Sequence, residues 1–250
     1  MEKKHRMQKI LFFLCIIVFL YSGWQLLNYY LTMKEVEREF QVVKTKAFPE
    51  ETKPSKKGNE KRKSFDYEAL KAQNKDIIGW IQIEDTNIDY PVMYRKNDNE
   101  FYLKKNFQKE YSVAGTPFVD GRWNPRDKQE NMIIYAHHMK DGSMFAGLEQ
   151  YKKKEYYESH KTIQLYLKNK LHTYEVFGAL VISAKQDDPL YYVMDIASEE
   201  EYKRYIEEVT PMFLYETGKE PKNREPILML STCEYTKEDG RMVVLAKRVS

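Results

Sequence analysis

Cys233 ends the stretch Leu230-Ser231-Thr232-Cys233, directly after the apolar run Ile227-Leu228-Met229-Leu230. That run reads as a buried strand, so Ser231, Thr232 and Cys233 are expected at its rim. Eight residues later Arg241 opens a second apolar run, Met242 to Ala246. A thiol at a strand end beside a permanent cation is an arrangement that makes a nucleophile. Upstream, His137 and His138 follow the strand-like run Met132-Ile133-Ile134-Tyr135, so strand ends deliver imidazole and thiol toward a common rim. The chemistry would be acyl transfer: a thiolate attacks a carbonyl, an imidazolium protonates the leaving amine, and a donor stabilises the oxyanion. Arg241 offers planar, permanently charged donors for that last task, or for clamping a substrate backbone. Each residue also has a plainer reading: an inert buried thiol, a structural histidine, a surface arginine. Zinc is the other ligand chemistry to weigh, but the chain has no C-x-x-C and no H-E-x-x-H. Adjacent histidines also point to opposite faces of an extended chain, so no metal site is expected.

The elements that must position these residues are mostly short strands. Ile77–Ile83 and Ile88–Val92, separated by Glu84-Asp85-Thr86-Asn87, form a hairpin signal with polar turn chemistry. Further apolar or alternating runs cover Thr116–Val119, Asn131–Tyr135, Thr162–Leu167, His172–Val181, Pro226–Leu230 and Met242–Ala246. Helices are expected over Phe65–Leu70, Met144–Tyr151 and Ser198–Val209, the last opened by a capping-box pattern, Ser198-Glu199-Glu200-Glu201. About eight short strands in about 185 residues, with little strand–helix–strand alternation, predict a mainly β fold: a closed barrel with helical insertions.

Charge and hydropathy divide the chain. Residues 10–31 carry no charged side chain and are long enough, at about 1.5 Å per residue, to span a hydrocarbon core of roughly 30 Å. Lys3, Lys4, Arg6 and Lys9 precede them against Glu2 alone, which predicts a cytoplasmic tail (1–9), a transmembrane anchor (10–31) and the rest outside the membrane. A cleaved signal peptide fits less well, because the run exceeds the 7–15 residues of a typical signal core and no small-x-small site follows cleanly. Residues 32–64 read as a stalk, with a short helical extension over Met33–Val43 and then a charged, Pro- and Gly-containing segment. Of the formal charge of +3, the tail carries +3, residues 10–43 carry −1 and residues 44–64 carry +5, which leaves −4 for residues 65–250. A nucleic-acid function therefore has no basic surface on the globular part to rest on. Cys15 lies in the apolar span and cannot readily reach Cys233, so no disulfide is expected.

Taken together, three segments carry a resemblance: Tyr135-Ala136-His137-His138-Met139-Lys140-Asp141-Gly142-Ser143-Met144-Phe145, Leu230-Ser231-Thr232-Cys233-Glu234, and Arg241-Met242-Val243-Val244-Leu245-Ala246-Lys247. Asn99–Leu103 and Gly115-Thr116-Pro117-Phe118-Val119-Asp120 add to it. The chain resembles class B sortases, membrane-anchored cysteine transpeptidases of Gram-positive bacteria; Ala136 stands where that family more often has glycine. The resemblance implies a closed eight-stranded barrel over 65–250, with N-terminal helices and a helical insertion between late strands. It implies Cys233 as nucleophile, His137 as catalytic histidine with His138 supporting it, and Arg241 as catalytic arginine. Asn99, Tyr135, Ser231, Thr232, Glu234 and Tyr192 would line the substrate groove, with Tyr191 beside Tyr192. No cofactor is implied. The partners would be surface proteins with a C-terminal sorting signal, cleaved after Thr through a thioacyl intermediate, and an amine of the peptidoglycan precursor. A hydrolysing cysteine protease, a pilin-polymerising sortase and a non-catalytic surface module remain as rivals. With no carboxylate evidently paired to His137, slow turnover is expected.

Overall fold

The computed structural model describes residues 2–49, 65–124, 131–183, 189–233, 235 and 239–250; the expected stalk from residue 50 to 64 and Glu234 lie outside the described residues. The chain divides into two compact units, up to Val42 and from Val43 onward. The first unit is helical, part of α1 (Glu2–Ala47). This helix holds the apolar stretch and is long and apolar enough to cross a membrane, by length and composition.

Residues 44–47, read from the sequence as the start of the charged, Pro- and Gly-containing part of the stalk, are instead helical. The reason is local packing within the second unit. Val43 and Ala47 are buried in a cluster with Phe65, Tyr67, Leu70, Trp80 and Tyr102. Lys44 pairs with Asp89 at 2.5 Å, and Lys46 Nζ donates to Gln73 Oε1 at 2.6 Å. Asp66 N–H donates to Ala47 O at 2.8 Å, so the chain re-enters against the helix end. Asp66 then caps α2 (Tyr67–Gln73) by accepting from Ala69 N–H.

Eight strands follow: β1 (Ile77–Gln82), β2 (Asp89–Tyr94), β3 (Phe118–Val119), β4 (Met132–Tyr135), β5 (Thr162–Leu167), β6 (Lys170–Ser183), β7 (Ile227–Cys233) and β8 (Gly240–Arg248). They close into a barrel in the order β1-β2-β3-β4-β7-β8-β6-β5. The β2/β3 and β4/β7 pairs are parallel and the others antiparallel. Closure leaves no open edge among these strands. The β1–β2 hairpin and all eight strand positions agree with the hydrophobic pattern, and the lengths differ where tertiary pairing decides them. β3 keeps only two residues: Thr116 N–H donates to Tyr102 O and its hydroxyl to Lys105 O, and Pro117 has no N–H to give. β6 extends to fourteen residues because its first part pairs with β5 and most of its length with β8.

Between β4 and β5 lie a 3₁₀ helix (Ala146–Lys152), where the pattern predicts helix, and α3 (Lys154–Ser159), which the pattern does not reveal. Between β6 and β7 the chain forms a 3₁₀ helix (Pro189–Asp195) and α4 (Glu199–Val209). The capping box forms as expected: Ser198 Oγ accepts from Glu201 N–H, and Glu201 Oε2 accepts from Ser198 N–H. α4 buries Tyr202, Tyr205 and Val209, one face at helical spacing. They join one cluster with Ile133 of β4, Ile227 and Met229 of β7, and Val243 and Leu245 of β8. The insertion therefore covers one face of these three strands.

Candidate active site

The covered face leads directly to the chemistry. Side chains alternate along a strand, so the row Ile227, Met229 under the insertion continues as Ser231 and Cys233. Ser231 is buried and Cys233 partly exposed, at the point where the row emerges from cover. β7 runs three residues further than the apolar pattern suggests and ends at Cys233 itself, because β8 supplies partners up to that residue. In that antiparallel ladder Cys233 lies directly opposite Arg241. Residues so paired present their side chains on one face, with Cβ atoms about 4.5–5.5 Å apart. Arg241 donates to the carbonyls of Asp239 and Gly240 and, among the described residues, makes no ion pair.

β4 brings the histidines. Tyr135 lies opposite Ser231 in the parallel β4/β7 ladder, and the register carries on past the strand: Ala136 N–H donates to Ser231 O, and Thr232 Oγ1 donates to Ala136 O at 2.8 Å. His138 and His137 then diverge. His138 Nδ1 bonds Cys233 O at 2.9 Å. A carbonyl only accepts, so Nδ1 carries the proton, and this ring is committed to tying the two strand ends together. Tyr235 packs edge-on against it at 5.1 Å and donates to His138 O. His137 Nε2 bonds Leu103 O at 2.7 Å. By the same reasoning Nε2–H is the donor, and among the described residues Nδ1 of His137 has no hydrogen-bond partner. The orienting group is a backbone carbonyl, not a carboxylate.

That carbonyl is itself set by glycine chemistry. Gly115 has φ +61°, and a Cβ built there would lie 2.5 Å from Tyr102 O and 2.6 Å from Leu103 O. Only glycine permits this approach. Sequence reasoning included the Asn99–Leu103 and Gly115–Asp120 segments without the contact that joins them to His137; a main-chain carbonyl leaves no signal in residue type.

The expected groove residues separate. Tyr135 and Ser231 share the face that leads to Cys233. Tyr135 OH donates to Asp120 Oδ2 at 3.0 Å, and Ser231 Oγ lies 3.3 Å from Tyr191 OH. Burial, then the charge of Asp120, pushes the Tyr135 phenol well up. Thr232 points to the other face and is buried, its hydroxyl used by Ala136 O. Asn99 Oδ1 accepts from Gly121 N–H at 2.5 Å. Tyr192 turns away from the strand end: its hydroxyl donates to Glu208 Oε2 at 2.7 Å and its ring packs on Tyr205. Burial and that hydrogen bond push its phenol up to about 12. With Asp195, Ile196, Glu201, Arg204 and Glu208 it lines a cleft that includes neither Cys233, His137 nor Arg241. Its neighbour Tyr191 is the one that reaches Ser231.

Fold and site together define a closed β-barrel that brings a strand-end cysteine, an arginine and two histidines to one end of paired strands. The sortase domain family matches residues 81–249. Sortase B from Listeria monocytogenes serovar 1/2a is 32% identical, with the whole of both chains covered. Among solved structures, sortase B from Bacillus anthracis is 30% identical with a TM-score of 0.73, covering 88% of this chain and 99% of that one. A substrate complex of Staphylococcus aureus sortase B is 32% identical with a TM-score of 0.66, covering 74% of this chain and 84% of that one. The chain belongs to the sortase family, and is a cysteine transpeptidase of that family.

Proposed function

We propose that Cys233, His137 and Arg241 carry out a two-step transfer on a C-terminal sorting signal. The Cys233 thiol gives its proton to Nδ1 of His137, and the resulting thiolate attacks the carbonyl carbon of Thr in the signal. The C–S bond forms, the C–N bond to the next residue breaks, and His137 delivers the proton from Nδ1 to the departing amine. An amine of the peptidoglycan precursor then attacks the thioester; the new C–N bond forms, the thiolate leaves, and His137 takes up the amine proton. Arg241 stabilises the oxyanion in both steps. The observation that carries this reading is the direct Cys233–Arg241 cross-strand pairing at the β7 end, beside the chain that delivers His137. The S. aureus relative, solved as a substrate complex, supports a site on this fold that takes a substrate.

The catalytic unit faces outward on an uncleaved anchor, with residues 1–9 cytoplasmic, 10–31 in the membrane and the rest outside. The basic flank before the apolar stretch supports this orientation. Protease protection of the catalytic unit in sealed inside-out vesicles tests it; digestion there would overturn it.

Intact mass of the full chain in detergent, after incubation with a panel of sorting-signal peptides, tests the chemistry. The expected result is an adduct equal to the peptide's portion through Thr, absent in Cys233→Ala and discharged by added oligoglycine or a diaminopimelate-type amine. Discharge by water alone, unchanged by amine, would assign a hydrolase instead. No adduct from a folded protein whose Cys233 also resists alkylation would mean an inert thiol.

A further inference from the structure

Asp120 is buried, 2% exposed, and is the fixed point of a chain of contacts that ends at the site. Its Oδ1 accepts from Arg122 N–H and Nε, and its Oδ2 from Arg122 NH2 and Tyr135 OH, all at 2.9–3.0 Å. Burial alone would push this carboxyl up, but the hydrogen bonds and charge of Arg122 hold it below the usual carboxylate range. Arg122 then reaches across to the 3₁₀ helix Pro189–Asp195. NH2 donates to Tyr191 O and NH1 to Asp195 Oδ2, each at 3.3 Å. The Asp195 end is exposed and contributes little on its own. The Asp120 end is buried, and a charge-assisted fork there is strong and directional. Asn131, also buried, donates to Val193 O of the same helix at 2.9 Å. The segment carrying Tyr191 is therefore held at two carbonyls two residues apart.

The turn between the two charged residues is also built for this. Gly121 N–H donates to Asn99 Oδ1 and its carbonyl accepts from Asn97 N–H. A Cβ at Gly121 would lie 2.7 Å from Asp98 N and 2.8 Å from Asn97 N. Three residues expected at the groove thus meet one turn: Asn99 through Gly121, Tyr135 through Asp120, and Tyr191, which touches Ser231 and stacks on Tyr135 at 6.4 Å, through Arg122.

We propose that Asp120-Gly121-Arg122 is a positioning device for the substrate groove, setting the Tyr135–Tyr191 wall that holds the sorting peptide beside Cys233. This rests on the transpeptidase reading of Cys233 above. Asp120 and Arg122 act through other side chains and are positioning residues.

The test compares the full chain in detergent with Arg122→Ala and Arg122→Lys. Steady-state turnover of a sorting peptide, the alkylation rate of Cys233 by iodoacetamide and hydrogen exchange over residues 190–195 are measured. Arg122→Ala is expected to raise KM about tenfold, the scale of one lost charge-assisted contact, with kcat and the alkylation rate within about twofold. Exchange over 190–195 should rise. Arg122→Lys keeps the charge beside Asp120 but loses the fork on Asp120 and the bond to Tyr191 O, so its KM should fall between the two. Unchanged KM and exchange in Arg122→Ala, with wild-type turnover intact, would overturn the inference alone. So would a matched loss of kcat and alkylation at constant KM, which marks general damage. If Arg122→Ala does not fold, Arg122→Lys decides on the same two readouts. A folded wild type that forms no adduct with any peptide would remove the transpeptidase reading and this inference with it.

Discussion

Cys233 and Arg241 face each other across the β7/β8 ladder, so backbone pairing sets the arginine's place, and its bonds to the carbonyls of Asp239 and Gly240 hold the guanidinium there. A permanent charge placed this way costs no reorganisation when the oxyanion forms. Arg241→Ala is expected to lower kcat by about 10²–10³-fold while the chain stays folded. Arg241→Lys should recover only part of it, since an ammonium lacks the planar fork; full recovery would mean that charge alone matters. The two histidines separate by the same kind of measurement. His137→Ala should cost about 10²–10⁴ in kcat, the range of a general acid. His138→Ala removes the bond to Cys233 O and should act mainly on stability, by about 1 kcal/mol. Equal kinetic losses in both variants would contradict the assignment.

At the scale of elements, two contacts outside the strands decide how well the site is held. Gly115 allows Leu103 O to reach His137 Nε2. Gly115→Ala forces a left-handed backbone and a clash with that carbonyl, at a cost of about 1–3 kcal/mol. Because the displaced carbonyl orients the imidazole, kcat should fall as well, and a variant that loses stability with kcat intact would show that His137 is held otherwise. The end of α1 is the second. Val43 and Ala47 pack with Phe65 and Trp80, so a fragment starting at Phe65 exposes that cluster. Removing a buried valine and its neighbours costs about 2–4 kcal/mol. Differential scanning calorimetry should give a fragment starting at Lys34 the higher Tm, by several degrees; equal values would mean that the helix end adds nothing. The hydropathy break near residue 32 conceals this, because a charged segment can still bury two small apolar residues on one turn.

For the whole molecule, acid stability follows from the carboxylates that the fold pairs. Burial pushes Asp76 and Asp120 up, but Lys109 and Tyr102 for the first, and Arg122 for the second, bring both below the usual range. Their folded values lie under the unfolded one, so the stability they confer is present above about pH 4. It is lost as pH falls through the folded values, where the unfolded chain binds more protons. Urea unfolding between pH 6 and pH 3 should show this decline, and Asp120→Asn should flatten it. A wild type whose stability holds constant down to pH 3 would exclude the mechanism. This clasp sits away from Cys233 in the chain; Asp120 closes a segment that adds to the family resemblance, but residue types do not show that Arg122 carries it to Tyr191.

The amino-acid sequence by itself determined the strands, the capped helix α4 and the apolar N-terminal helix. Each depends on periodicity, capping or hydropathy within a short window, and those act locally. It also singled out Cys233, His137 and Arg241 by residue type and by resemblance. Only the tertiary structure decided that β7 reaches Cys233, since strand ends are set by partners and β8 supplies one opposite that residue. Only the tertiary structure turned Tyr191 toward Ser231 and Tyr192 toward Glu208. Neighbouring tyrosines on a 3₁₀ helix face different sides, and which side meets the barrel depends on how the insertion docks. Likewise Thr232 went to the far face because alternation along β7 sends every second residue there. Register, docking angle and backbone carbonyls carry no residue-type signature, so the geometry they impose appears only once the chain has closed on itself.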